Sequence, residues 1–191
     1  TTVVNQSSAN IVIDWQSFNV GQNETVQFIQ PGSTSAALNR IINGNPSAIH
    51  GSILANGRVF LVNPQGVVFG KTARVDVGSL FVTSLDIKNS DFMAQNYRFE
   101  AVEGAGSASI VNHGSIEAAV GGSVSIVGGS VENQGTITAN LGHVNLGSGT
   151  QAVVDFAGDG LINFAVSGEV ADNVNNAEAA VALFFGIDFC A

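Results

Sequence analysis

Four adjacent residues, Asn63-Pro64-Gln65-Gly66, stand between the apolar runs Val59-Phe60-Leu61-Val62 and Val67-Val68-Phe69. Their chemistry is that of a tight β-turn: the Asn side chain bonds nearby backbone, Pro presets φ at the second position, and Gly closes the turn. Read alone, the tetrapeptide is a plain turn. The other reactive residue types are scattered. Asp86 and Asp91 flank Lys88, and Asp155 and Asp159 lie close in sequence. Polysaccharide-cleaving sites need clustered carboxylates, often with a basic residue or Ca²⁺. Neither pair recurs at a spacing that stacks acids on one face, so both read as solvated turn acids. His50, His113 and His143 are widely separated, and no H-x-x-x-H or cysteine partner completes a zinc set. There is no G-x-S-x-G elbow and no G-x-x-x-x-G-K-[ST] loop. Cys190 is the single cysteine and has no disulfide partner within the chain. The expectation is a non-enzymatic protein with no metal and no cofactor. Trp15 and Phe18 read as core or capping aromatics. A carbohydrate-binding module, with a host glycan as ligand, is the rival function.

Composition narrows the scaffold that must hold the turn. The 191 residues include 23 Gly, 19 Asn and only 3 Pro. Charged residues make up 11%, against about 25% in an ordinary soluble domain. Glu, Lys and Arg are too scarce for a coiled coil, and there is no Gly-X-Y period for collagen. At 45% hydrophobic, the chain is not disordered. Six basic residues against fifteen acidic give a net charge of −9. A basic face is what nucleic acid and anionic lipid require, so neither is expected as a partner. The longest apolar run, Ala179 to Ile187, is far shorter than the ~20 residues of a spanning helix. Thr1 opens inside a polar, strand-like stretch rather than a signal peptide, as expected of a cytoplasmic chain or a trimmed fragment.

Internal repeats dominate the sequence. Gly51-Ser-Ile-Leu-Ala, Gly114-Ser-Ile-Glu-Ala and Gly135-Thr-Ile-Thr-Ala share the skeleton G-[ST]-I-x-A, each followed by a short Gly-containing turn and V-x-[LI]. From Gly114 to Gly135, and again from Gly122 to Gly142, the pattern returns after about 20 residues, within the range of solenoid repeats. Short alternating strands at this period, joined by Gly and Asn turns, predict a stacked coil. Stacking would set Ile116 over Ile137, Val124 over Val144 and Ile126 over Leu146, with strands paired in parallel at ~4.8 Å. Asn residues at the corners are expected to form side-chain amide ladders. Ile11–Trp15 and Glu24–Ile29 read as further strands. Val59–Val62 and Val67–Phe69 read as strands covered on both faces. Asn89-Ser90-Asp91 is expected to cap one short helix through about Asn96, anchored by Phe92. The last two repeats share a lead-in, Val111-Asn-His-Gly114 and Val131-Glu-Asn-Gln-Gly135, and Val174-Asn-Asn-Ala177 resembles another, with Ala177 where glycine would stand. Residues 177–185 have helical propensity.

The run from Leu38 to Gly70, with Ile41-Ile-Asn-Gly-Asn-Pro-Ser47, Gly51-Ser-Ile-Leu-Ala-Asn-Gly57 and Val62-Asn-Pro-Gln-Gly66, resembles the secretion domain of two-partner-secreted exoproteins. That family includes filamentous haemagglutinin and the high-molecular-weight adhesins. Asn5–Asn10, Ile13–Phe18 and Leu85–Ile87 support the resemblance, which covers about residues 3 to 176. Gln65 departs from the family's Asn-Pro-Asn-Gly: it keeps the amide but adds a methylene, which is expected to weaken an Asn-specific turn bond. The family's second motif, Asn-Pro-Asn-Leu, is absent; Asn45-Pro46-Ser47 is a different turn, a pattern of the adhesin branch. The chain also starts later than the family, so the N-terminal cap is expected to be incomplete.

The resemblance implies an all-β fold, a right-handed parallel β-helix (a solenoid) with extra-helical β-hairpins. It implies a two-partner secretion (TPS) domain over residues 1–175 and an irregular tail over 176–191. It implies a secretion-targeting role in a large exoprotein of a Gram-negative bacterium, secreted or at the cell surface by way of the periplasm. The implied partners are an outer-membrane TpsB-type barrel with POTRA domains and the downstream passenger of the same exoprotein, with adhesion and virulence as the setting. Asn63, Pro64, Gln65 and Gly66 would then form a transporter-recognition or fold-nucleating turn, with Asn63 fixing it, Pro64 presetting it and Gly66 permitting its exit. On this reading Asn63→Ala costs about 1 kcal/mol for one lost turn hydrogen bond.

Overall fold

The computed structural model describes residues 1–102, 108–154, 174–177, 180–181 and 187–190, the last two stretches as backbone alone. Strands recur at the same three positions of successive turns of the chain, so that three parallel sheets run the length of the molecule. The first sheet contains β1 (Thr2–Asn5), β3 (Thr25–Ile29), β6 (Ser52–Ala55), β9 (Arg74–Val77), β13 (Ser115–Ala118), β16 (Thr136–Ala139) and β20 (Ala180–Val181). The second contains β2 (Asn10–Trp15), β4 (Ala36–Ile41), β7 (Arg58–Val62), β10 (Ser79–Thr83), β14 (Ser123–Gly128), β17 (His143–Ser148) and β21 (Ile187–Cys190). The third contains β5 (Ser47–Ile49), β8 (Val67–Phe69), β12 (Ser109–Asn112), β15 (Ser130–Asn133) and β19 (Val174–Asn176). This is a parallel β-helix.

One coil buries too little apolar surface to stand alone, and the register shows how stacking supplies the rest. Val26, Ile53, Val75, Ile116 and Ile137 form one column in the first sheet. Val59, Leu80, Val124 and Val144 form another in the second, where Ile126 also stands beside Leu146. These side chains belong to one continuous interior core. At the corners the coils approach so closely that a side chain has no room: a Cβ on Gly142 would lie 1.7 Å from the Gly122 carbonyl oxygen.

The second sheet is apolar on its outer face as well. Leu38, Phe60 and Phe81 lie there in register and are covered by Phe92, Tyr97, Phe99, Ala152 and Val154. The cover comes from two excursions out of the coil. The first carries helix α1 (Asn89–Met93) and β11 (Tyr97–Glu100); the second carries β18 (Gln151–Val154). β11 and β18 pair antiparallel, Tyr97 opposite Val154. Among the described residues, the extra-helical β-element is thus formed by strands distant in sequence, not by a hairpin of consecutive ones. Phe81 and Phe99 are 4.5 Å apart between ring centroids, and Phe60 stacks on Tyr97 at 5.0 Å. Burial pushes the Tyr97 phenol above its usual range, against the charge and hydrogen bond of Arg58, which pull it down.

Arg40 of β4 ties the first excursion down. Its Nε donates to Asp86 Oδ1 at 2.8 Å, its Nη1 to Asn89 Oδ1 at 2.6 Å, and its Nη2 to the Ile87 carbonyl. Asp86 is therefore a structural anchor rather than a solvated turn acid. The cap of α1 also differs from expectation. Lys88 occupies the N-cap position without a side-chain cap bond, and Asn89 is inside the helix, with its amide oxygen engaged by Arg40. Phe92 is buried, as its role as anchor requires.

Beyond residue 175, β20 pairs with β16 and β21 with β17, which adds one strand each to the first two sheets within the segment expected to be irregular. The helical propensity of 177–185 is overridden at Ala180–Val181 by this parallel pairing; the remainder of that expectation, and Asp155 and Asp159, fall outside the described residues. Asn133 pairs with Asn176, which sets Ala177 beside Gln134 rather than beside a glycine of the preceding coil.

Candidate functional site

The Asn63–Gly66 turn links β7 of the second sheet to β8 of the third. The Gly66 N–H donates to the Asn63 carbonyl at 2.9 Å, closing a four-residue turn. Positive φ occurs at Gly66, at +99°, and not at Gln65. The turn is therefore of type I, which accepts most residues at its third position. Gly66 returns the chain to the coil against its neighbour: a Cβ there would lie 2.4 Å from the Ser109 carbonyl oxygen. Its own carbonyl accepts from the Ser47 N–H at 3.0 Å.

Asn63 is 0% exposed, and its carboxamide is fully used. Its Oδ1 accepts from the Gln65 N–H at 2.9 Å. Its Nδ2 donates to the Asn45 carbonyl and to Ser47 Oγ, each at 3.0 Å. The side chain thus does more than fix its own turn. It clamps the turn one coil below, Asn43–Pro46, which leads directly into the buried Ser47, the first residue of β5. Substitution here strips partners from three polar groups, so the loss exceeds the single bond that the motif alone suggests. Pro64 is half-buried and Gln65 is exposed. Only the Gln65 backbone enters the turn bond, so the extra methylene that distinguishes it from Asn lies outside the hydrogen-bonded frame. The partnership with Asn45 and Ser47 was not evident from the motif. Its one trace in the sequence is that Asn45-Pro46 precedes Asn63-Pro64 by close to one coil.

The other candidates do not converge. His50 is exposed, while His113 and His143 are partly exposed at separate positions along the stack. Among the described residues no three of His, Cys, Asp and Glu come together as a metal-binding group. Phe18 is buried in the interior core, and Trp15 packs edge-on against it at 5.3 Å. The Trp15 indole N–H donates to Asn39 Oδ1 at 3.0 Å. This pair is engaged in closing the core, as expected of it.

A family model described as the TPS secretion domain matches residues 1–184. A heme/hemopexin-binding protein of Haemophilus influenzae is 36% identical over 153 residues, 76% of this chain and 17% of that protein. A second Haemophilus influenzae protein of the same name is 40% identical over 96 residues, 50% of this chain and 10% of that protein. Among solved structures, the HMW1 secretion domain of Haemophilus influenzae is similar at 37% identity with a TM-score of 0.77, over 82% of this chain and 42% of that one. The chain spans less than a fifth of the curated relatives it matches.

Proposed function

The chain belongs to the TPS secretion domain family, and from that premise we propose that it addresses a larger exoprotein to a dedicated outer-membrane barrel, whose periplasmic POTRA domains recognise it. The observation that carries this reading is the family match over 1–184, joined to a turn whose frame is buried and whose tip is exposed. The bonds within the turn, from the Gln65 N–H to Asn63 Oδ1 and from the Gly66 N–H to the Asn63 carbonyl, need no neighbouring coil; they hold Pro64 and Gln65 in one conformation before the β-helix forms, which lowers the ordering cost of being recognised. The fold suits passage in extended form followed by coil-by-coil folding outside, because each coil contacts only its neighbours. The order of events we infer is capture by the barrel, threading of the passenger, and nucleation of the β-helix at the surface from this domain. Binding of haem or hemopexin, named for the relatives, is assigned in this proposal to chain outside the matched segment.

Secretion tests the reading. The chain is exported to the periplasm of cells with and without the cognate barrel, and the medium is assayed for folded domain. Appearance in the medium only when the barrel is present supports the address function. Retention in the periplasm in both strains overturns it.

A further inference from the structure

Two Asn-Gly pairs occur in the chain, Asn43-Gly44 between β4 and β5 and Asn56-Gly57 between β6 and β7. Asparagine is a labile amide, and a following glycine leaves the attacking main-chain nitrogen unshielded by a Cβ, on a backbone that turns freely. The two pairs are held very differently. Asn43 and Gly44 are both exposed, and a Cβ on Gly44 would meet nothing within 4 Å. The Gly44 N–H donates to Asn43 Oδ1 at 2.9 Å, so the nitrogen already lies beside the carboxamide. Among the described residues, Asn43 Nδ2 has no hydrogen-bond partner that would hold it back from leaving into water. Asn56 is exposed as well, but its carboxamide is committed to the coil before it. Its Oδ1 accepts from the Gln30 N–H and its Nδ2 donates to the Gln30 carbonyl, each at 2.8 Å. Gly57 is buried, its carbonyl accepts from the Ser79 N–H at 3.2 Å, and a Cβ on it would lie 2.7 Å from Gln30 Oε1 and from the Ser35 carbonyl oxygen. Ring closure there requires both Asn56 bonds to break and Gly57 to rotate within a packed corner.

We propose that Asn43 is a site of spontaneous self-modification in the folded domain, and that the fold protects Asn56 from the same reaction. The Gly44 nitrogen loses its proton to hydroxide and bonds to Asn43 Cγ. The Cγ–Nδ2 bond breaks, and the amide nitrogen takes a proton from water and leaves as ammonia, which regenerates the hydroxide and leaves a cyclic imide. Water then opens the imide. Attack at Cγ gives aspartate; attack at the main-chain carbonyl carbon gives isoaspartate, in which the main chain runs through Cγ. The net change is one water in and one ammonia out. Either product adds a negative charge to the turn. Isoaspartate also adds a methylene to the main chain just before the Asn45 carbonyl that Asn63 Nδ2 holds at 3.0 Å. The turn thus carries a chemical record of the age of the folded chain.

The test incubates the folded 191-residue chain at physiological temperature in neutral and in mildly alkaline buffer, beside a sample unfolded in urea. Aliquots are digested at acid pH, where the imide does not form. The peptides are read by mass spectrometry, and isoaspartate is detected by enzymatic methylation. In the folded chain Asn43 is expected to convert, faster in the alkaline buffer. Asn56 is expected to convert more slowly by about tenfold or more, because two hydrogen bonds must open first. In urea the two sites are expected to convert at similar rates, which assigns the difference to the fold. Gly44→Ala has room for its methyl group and a φ outside the left-handed region, and it is expected to slow conversion at Asn43 with the thermal midpoint unchanged. Asn43 that stays intact in the folded chain while it converts in urea overturns the proposal. So do equal rates at Asn43 and Asn56 in the folded chain, the same ratio of rates in urea as in the folded chain, or a rate at Asn43 that does not rise with pH.

Discussion

Two corners of the β-helix are built on buried asparagines that make the same local bond. At one, Asn112 Oδ1 accepts from the Gly114 N–H and Asn133 Oδ1 from the Gly135 N–H, each two residues ahead. At the other, Asn63 Oδ1 accepts from the Gln65 N–H, again two residues ahead. The corners diverge in where the amide hydrogens go. Asn112 donates to Asn133 and Asn133 to Asn176, both at 2.8 Å, so each carboxamide hands the same bond to the next coil. Asn63 donates to a main-chain carbonyl and a serine hydroxyl of the coil below, and its pattern stops there. The ladder is a repeating structural device beside a tight glycine corner. The Asn63 clamp is a single device beneath an exposed tip.

Substitutions can break or sharpen this contrast. The largest effect is expected at Gly66, where alanine meets both a φ of +99° and a carbonyl 2.4 Å away. Gly66→Ala should cost about 4 kcal/mol or prevent folding, read by urea denaturation. Next comes Asn133→Ala, which strands the Gly135 N–H, one Asn112 side-chain amide hydrogen and Asn176 Oδ1 in the middle of the ladder. A loss of about 3 kcal/mol is expected. Asn63→Ala should cost less, about 2 kcal/mol, because its bonds to the Asn45 carbonyl and the Gln65 N–H are only part-buried, whereas the Asn112 and Gly135 bonds of Asn133 are buried. An Asn63→Ala loss larger than that of Asn133→Ala would remove the distinction between clamp and ladder. The smallest effect is expected for Gln65→Asn, within about 0.5 kcal/mol, because the Gln65 side chain is exposed.

The ladder and the interior columns were legible in the sequence because they repeat. G-[ST]-I-x-A returns from one coil to the next, and the structure pairs Ile116 with Ile137 and Val124 with Val144 as that spacing requires. The lead-ins carrying Asn112 and Asn133 likewise announced an amide column. The helix anchor Phe92 was legible, but its cap was not, because Arg40, from a strand far earlier in the chain, claims the Asn89 side chain. The outer aromatic layer left no local signal. Tyr97 finds Val154 only after two further coils have been laid down between them. The two excursions also stretch the ordinary repeat, between Val75 and Ile116 and again between Ile137 and Ala180, to about twice its length elsewhere. An alternation read over a short window cannot see a partner so far away. The Asn63 turn was legible as a turn and as a family motif. Its grip on Asn45 and Ser47 was not, because a side chain's reach into the next coil depends on stacking that the turn residues do not encode.

The central claim is that the clamp serves recognition and the ladder serves stability. The most direct measurement is the affinity of the POTRA region for Asn63→Ala and Asn133→Ala, at a temperature where circular dichroism shows both folded. The account predicts that Asn133→Ala, the less stable variant, binds as wild type while Asn63→Ala loses about tenfold or more. Equal affinities, or a greater loss in Asn133→Ala, would contradict it.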